Sequence, residues 1–140
     1  MRASSHKLAA ALANRLGPAL PEALSLRASG YSVDLQLGSA GLDSCSTAAA
    51  IVEDDDDRTL SDRAQNALWA MMDGVQDAVM RYTEEQWPLE QDGSLADPQT
   101  RSDVECVHLW FGRNEHEPVI RMEPIPFAEF CADNSSVQLA

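Results

Sequence analysis

The stretch that most constrains this chain is Thr59 to Trp87, which reads as one long amphipathic helix. Thr59 can cap its first turn, and Asp62, three residues on, favours the positive helix N-terminus. Apolar residues then recur at Leu60, Ala64, Leu68, Met71, Val75, Val79 and Tyr82, in steps of four or three that keep them on one stripe of a helix. Arg63, Asn66, Asp73, Gln76, Asp77 and Glu84 fall on other faces. Pro88 sets the end, because the residue before a proline is pushed towards extended geometry. Such a rod is roughly 40 Å long, enough to cross a sheet of about four to six strands. Its apolar stripe needs cover, which the rest of the chain has to supply.

The cover is expected from alternating runs on either side. Leu24, Leu26 and Ala28 alternate with Ser25 and Arg27; after Ser29-Gly30 the pattern resumes as Tyr31, Val33, Leu35 and Leu37 against Ser32, Asp34 and Gln36. A two-residue turn at Ser29-Gly30 would pair Ala28 with Tyr31, Leu26 with Val33 and Leu24 with Leu35, placing the apolar side chains on one face. Gly38 and Gly41 bracket a second turn, and Ser44 to Val52 returns as a third strand, although Thr47 to Ala50 is as compatible with helix. Downstream, Val104 to Phe111 is a strong strand, with Val107, Leu109 and Phe111 on one face and Val104, Cys106, His108 and Trp110 on the other. Gly112 to His116 makes a turn and Val119 to Met122 a fifth strand, which Pro124-Ile125-Pro126 breaks before a helical turn over Phe127 to Cys131.

Upstream, Ser4 or Ser5 can cap a short alanine-rich helix with Leu8, Ala11, Leu12 and Leu16 on one stripe, ended by Gly17-Pro18. Between the halves, Leu89 to Ser102 holds Gly93, Pro98 and several polar residues and reads as a mobile connector. The expected fold is one α+β domain over residues 1–132 with a polar tail at 133–140. A five-stranded, mainly antiparallel sheet carries one long and one short helix, in the order α-β-β-β-α-β-β, with the helical turn last.

Charge narrows the function classes. The formal net charge is −13, and residues 1–42 carry four basic against two acidic side chains, so all of the excess lies beyond them. Lys7 is the only lysine. A phosphate backbone is bound chiefly through Lys and Arg, so nucleic acid is not an expected partner, and an anionic membrane would repel the chain. A basic polypeptide is the partner that this field favours. Cys45, Cys106 and Cys131 are odd in number and irregularly spaced, which fits free thiols in a reducing compartment, and Met1 to Leu16 lacks the apolar run of a secretory signal. The expected location is therefore cytoplasmic.

Candidate chemistry is thin. Glu53 to Asp57 is a run of five carboxylates, but it lacks the central glycine and distal glutamate of a calcium loop and reads as a solvated approach to the long helix. Cys106 and His108 leave the same face of a strand and could reach a metal with His116 or Cys131, yet structural zinc ligands usually come in closely spaced pairs at turns. As nucleophile and base the same pair would need positive neighbours, and the region is acidic. Ser4-x-x-Lys7 is explained by a capping serine, and Glu84-Glu85, Glu115 and Glu117 imply no apolar pocket to tune them. No catalytic, cofactor or metal residue is expected. The residues that stand out are Trp69 and Met72, beside the core stripe, and Trp110; they are assigned to a partner or dimer surface, where Trp and Met are favoured, with core packing around the first helix as the competing explanation.

Two resemblances bear on this reading. Leu68, Val75-Gln76-Asp77 and Trp87-Pro88, followed by His108-Leu109-Trp110-Phe111-Gly112 and Glu123-Pro124-Ile125-Pro126, resemble a family of small acidic uncharacterised proteins of actinobacterial type, over roughly the C-terminal 80 residues. The order of elements is similar to the type III secretion chaperone-like fold, which implies an acidic dimeric chaperone or adaptor. The expectation is thus a non-catalytic, homodimeric protein-binding adaptor or chaperone-like module. The alternatives are an acidic inhibitor of a basic target, of the immunity-protein or antitoxin kind, and a small enzyme or ligand-binding protein with a site near His108. Whatever the partner, Met71→Ala should cost about 2 to 5 kcal/mol in urea denaturation, because Met71 sits mid-stripe on the central helix.

Overall fold

The computed structural model describes residues 2–37, 40–46 and 59–132. In chain order these form β1 (Arg2–Ala3), α1 (Ser5–Leu16), a 3-10 turn (Gly17–Ala19), β2 (Leu24–Ser29), β3 (Ser32–Leu37) and β4 (Ala40–Ser46). There follow α2 (Leu60–Thr83), β5 (Pro98–Ser102), β6 (Cys106–Phe111), β7 (Ile120–Arg121), β8 (Ile125–Pro126), α3 (Phe127–Phe130) and β9 (Cys131–Ala132). The acidic run, the stretch 47–52 and the tail lie outside the described residues.

The long helix forms, capped as its sequence suggests: the Thr59 hydroxyl accepts the Asp62 N–H at 3.1 Å. It stops four residues before Trp87, however. Glu84 turns left-handed (φ 58°) and donates its N–H to Met80 O, while the Thr83 hydroxyl donates to Val79 O at 2.9 Å. The freed Trp87 ring then folds back onto Phe111, 5.8 Å between centroids.

The class is α+β with antiparallel strands, but the single five-stranded sheet is replaced by three sheets. These are β2-β3-β4, β5-β6 with β7 and β8 both on the far side of β6, and the short ribbon β1-β9. The reason lies at the outer edge of β5. Trp69 Nε1 donates to Pro98 O at 3.0 Å, and Gln65 Oε1 accepts both the Ser102 N–H at 2.7 Å and the Ser102 hydroxyl. With helix side chains on these backbone groups, the edge is closed to another strand. The two larger sheets are joined instead through α2, which touches β3 and β4 on one side and β5 and β6 on the other.

The first hairpin is present with a register displaced by two residues. Ala28 faces Val33, Leu26 faces Leu35 and Leu24 faces Leu37, around Gly30-Tyr31. Apolar alternation is blind to a slide of two, which keeps every side chain on its face. The turn decides. Gly30 has φ +61° and takes the first central position, where a primed turn needs a positive φ that Ser29 would adopt at a cost.

The presumed connector is also folded. Leu89 bridges Leu95, Ala96 is fully buried, and residues 98–102 pair with β6 from Pro98↔Phe111 to Ser102↔Val107. The buried Gln76 amide fixes this segment to α2 by donating to Ala96 O at 2.7 Å. Its strand was hidden because Pro98 to Ser102 carries no apolar alternation: it docks on the helix through polar groups. The fifth strand is shorter than expected and divided, β7 and β8 flanking the interruption at Met122 to Pro124.

The chain closes on itself through α1. This helix buries Leu8, Leu12 and Leu16 against β2, β3 and α3, with Ser4 Oγ accepting the Lys7 N–H at 3.3 Å. Near its end Arg15 uses the whole guanidinium. Nε donates to Glu123 O (2.9 Å), and the two Nη groups reach Ala11 O (3.1 Å), Pro124 O (3.2 Å) and both Glu129 oxygens (2.8 and 2.7 Å). Arg15 holds the Glu129 carboxyl below its ordinary value of 4.5. A depressed carboxylate contributes stability above its unfolded value, lost as pH falls through the folded one. Arg15→Met, discounted for the solvent screening of a partly exposed pair, should destabilise by about 1 to 2 kcal/mol at neutral pH. In urea titrations across pH 3 to 7 (roughly the range over which carboxylates titrate), the difference between wild type and variant should shrink on the acid side.

Candidate functional site

The strand β6 has one face in the core and one towards solvent. Val107, Leu109 and Phe111 are buried, while Cys106, His108 and Trp110 are half-buried on the outer face, as their alternation predicts. Cross-strand pairing sets Arg101 of β5 beside His108, and Gln99 of β5 and Arg121 of β7 beside Trp110. On the far side of β6 the ladder is interrupted: Trp110↔Arg121 and Phe111↔Ile120 run in one register, Cys106↔Pro126 and Val107↔Ile125 in another. Three residues, Met122 to Pro124, thus lie opposite His108 and Leu109. A cleft of about 250 Å³ opens there, walled by His108, Trp110, Glu115, Arg121, Met122 and Pro124.

Glu123 also lines the cleft, exposed to solvent, and the other polar wall groups are each held by a partner. Asp103, at the turn entering β6, accepts the Glu105 and Cys106 N–H groups on Oδ1, both at 2.8 Å, and meets His108 Nε2 with Oδ2 at 2.7 Å. Arg101 clamps Glu115 by Nε to Oε1 (3.0 Å) and Nη2 to Oε2 (2.6 Å). Trp110 Nε1 donates to Gly112 O at 3.1 Å, and Arg121 donates to His116 O at 3.0 Å. The His108 bond and the two backbone donors hold the Asp103 carboxyl well below the carboxylate range, and Arg101 depresses Glu115. Burial, reinforced by Asp103 and Glu105, pushes the Cys106 thiol up. A thiol shifted in that direction stays protonated at neutral pH, so Cys106 beside His108 is not an activated nucleophile.

No group of three or more His, Cys, Asp or Glu among the described residues could hold a metal ion. Cys131 is buried on β9 opposite Ala3. Among the three residues assigned to a partner surface, the structure separates the roles. Trp110 walls the cleft. Trp69 is 44% exposed, yet its indole N–H is committed to the edge of β5. Met72 is a correction: it has no exposed surface and belongs to the core, because sheets on two sides of α2 cover an arc wider than one stripe. Neither Asp103 nor Arg101 was singled out from the sequence. An Asp two and three residues before the N–H groups that it caps is a readable turn signal, whereas Arg101 became legible only once β5 existed.

A scan against protein-family models finds no match for the chain, and neither does a search of curated proteins or of solved structures. No helix among the described residues is long and apolar enough to cross a membrane. Asp103→Ala removes two backbone caps and the His108 partner together, and should lower the midpoint of urea denaturation. Asp103→Asn, which keeps a capping oxygen, should recover part of that loss.

Proposed function

We propose that the chain is a non-catalytic protein-binding module, an adaptor or chaperone-like protein whose partner is a basic polypeptide. The observation that supports this reading is where the positive charge goes. Arg15, Arg81, Arg101 and Arg113 are paired internally with Glu129, Asp77, Glu115 and Asp92. Meanwhile the solvent side of α2 carries Asp62 and Asp73, with Glu84 and Glu85 just past its end, all exposed. Four of the ten cationic side chains are thus already paired, and with a formal net charge of −13 the surface field is strongly negative. Such a field steers an oppositely charged partner and falls off within a Debye length of about 10 Å at 0.1 M salt.

The test is capture from a cytosolic extract on the immobilised chain, run at low and at high salt beside carboxylate beads of matched charge. Basic polypeptides should be retained by the folded chain, released by salt and poorly held by the beads. Equal retention on the beads, or none on the chain, refutes the proposal.

A further inference from the structure

A second depression, of about 600 Å³, shares no lining residue with the His108 cleft and lies between the turn at 88–95 and the loop at 112–119. Two of the larger exposed apolar side chains, Leu89 (46%) and Val119 (37%), meet in it beside Pro118. Around this apolar floor stand three carboxylates, Glu90, Asp92 and Glu117, against one guanidinium, Arg113. Arg113 does not neutralise the whole rim. Its Nη2 is occupied by Asp92 at 2.7 Å and by the Ser94 hydroxyl at 3.3 Å, while Glu90 Oε2 accepts its backbone N–H at 2.8 Å and lies 3.5 Å from its Nε. The Glu117 carboxylate is exposed, and Arg113 is occupied elsewhere.

Both walls are set in advance. In one, Glu90 N–H donates to Ser94 O at 2.8 Å, Gly93 turns with φ +87° and Asp92 Oδ1 accepts the Ser94 N–H at 2.9 Å. In the other, Val119 N–H donates to Phe111 O at 2.8 Å, and Gly112 (φ +132°) allows the close approach: a Cβ there would lie 3.0 Å from Val119 N. Arg113 braces the two together. A preorganised site of this kind loses little conformational freedom on binding.

We infer that this depression is where the basic partner of the preceding section docks, by a segment that sets an apolar side chain between Leu89 and Val119 and a Lys or Arg against the exposed Glu117 carboxylate of the net-acidic rim. The inference rests on that reading of the function. A second copy of the chain is the wrong occupant by charge, since each copy carries a net −13 and the rim is itself acidic.

The experiment uses the full chain and three labelled synthetic peptides, alternating Lys with Leu, Lys with Ser, and Glu with Leu. Binding is followed by fluorescence anisotropy, and the site by backbone amide shifts. The Lys/Leu peptide should bind best and shift the amides of Leu89, Arg113, Glu117 and Val119. Leu89→Ser and Glu117→Lys, both at exposed positions, should each weaken it about tenfold with unchanged melting temperature. Equal binding of the Lys/Ser peptide, shifts confined to α2, or indifference to both variants overturns the assigned site while leaving the basic-partner reading standing. Failure of every Lys peptide to bind, when the extract experiment succeeds, likewise overturns the site alone; failure of both removes the reading as well.

Discussion

Burial along α2 is the constraint on which the rest of the structure depends. Among the described residues no hydrogen bond of a shared ladder ties the two larger sheets together, so a helix with apolar residues on more than one side lies between them. Ala64, Leu68, Met71, Met72, Val75 and Val79 are all without exposed surface. The small residues among them, with Ala67 and Ala78, let strands approach closely. Polar anchors then fix what packing alone leaves free to slide. Gln65, Trp69 and Gln76 each reach a backbone group of 96–102, so the second sheet is located along the helix by hydrogen bonds as well as by contact.

Those polar anchors mark the limit of what the sequence discloses. Periodicity located α2, the apolar face of β6 and the first hairpin, because each buries residues at the spacing of its own geometry. It was silent about β5, whose Gln99, Thr100, Arg101 and Ser102 satisfy a helix edge rather than a core. It misjudged the helix end, since the nearby proline drew attention from a left-handed Glu84 with no glycine to announce it. The two-residue displacement of the hairpin is a third case: face and register are separate facts, and only the turn fixes the second. Of the candidate cleft, His108 and Trp110 were legible from alternation, whereas the opening itself comes from one extra residue in the strand opposite, Met122 to Pro124.

Electrostatics follow the same division between what is fixed inside and what is left outside. His108 is tied to Asp103 and Glu115 to Arg101, so the walls of the cleft are rigid and largely self-compensated. Asp103 orients the His108 imidazole, and burial keeps the neighbouring Cys106 thiol raised. The uncompensated carboxylates lie elsewhere, along α2 and on the loops after it, and they carry the proposal of a basic partner.

The closure at α1 carries a consequence for how the molecule is made. A helix of twelve residues is marginal in water by itself. Its cover includes α3, and the carbonyls and carboxylate that Arg15 grips belong to Glu123, Pro124 and Glu129, with Ser4 N–H on Phe130 O at 2.7 Å. Of the helices described, α1 is synthesised before its cover and is thus among the last to be completed, waiting on partners more than a hundred residues behind it. Until those partners emerge, the nascent chain keeps Leu8, Leu12 and Leu16 without their full shelter, an interval in which a holdase could recognise it.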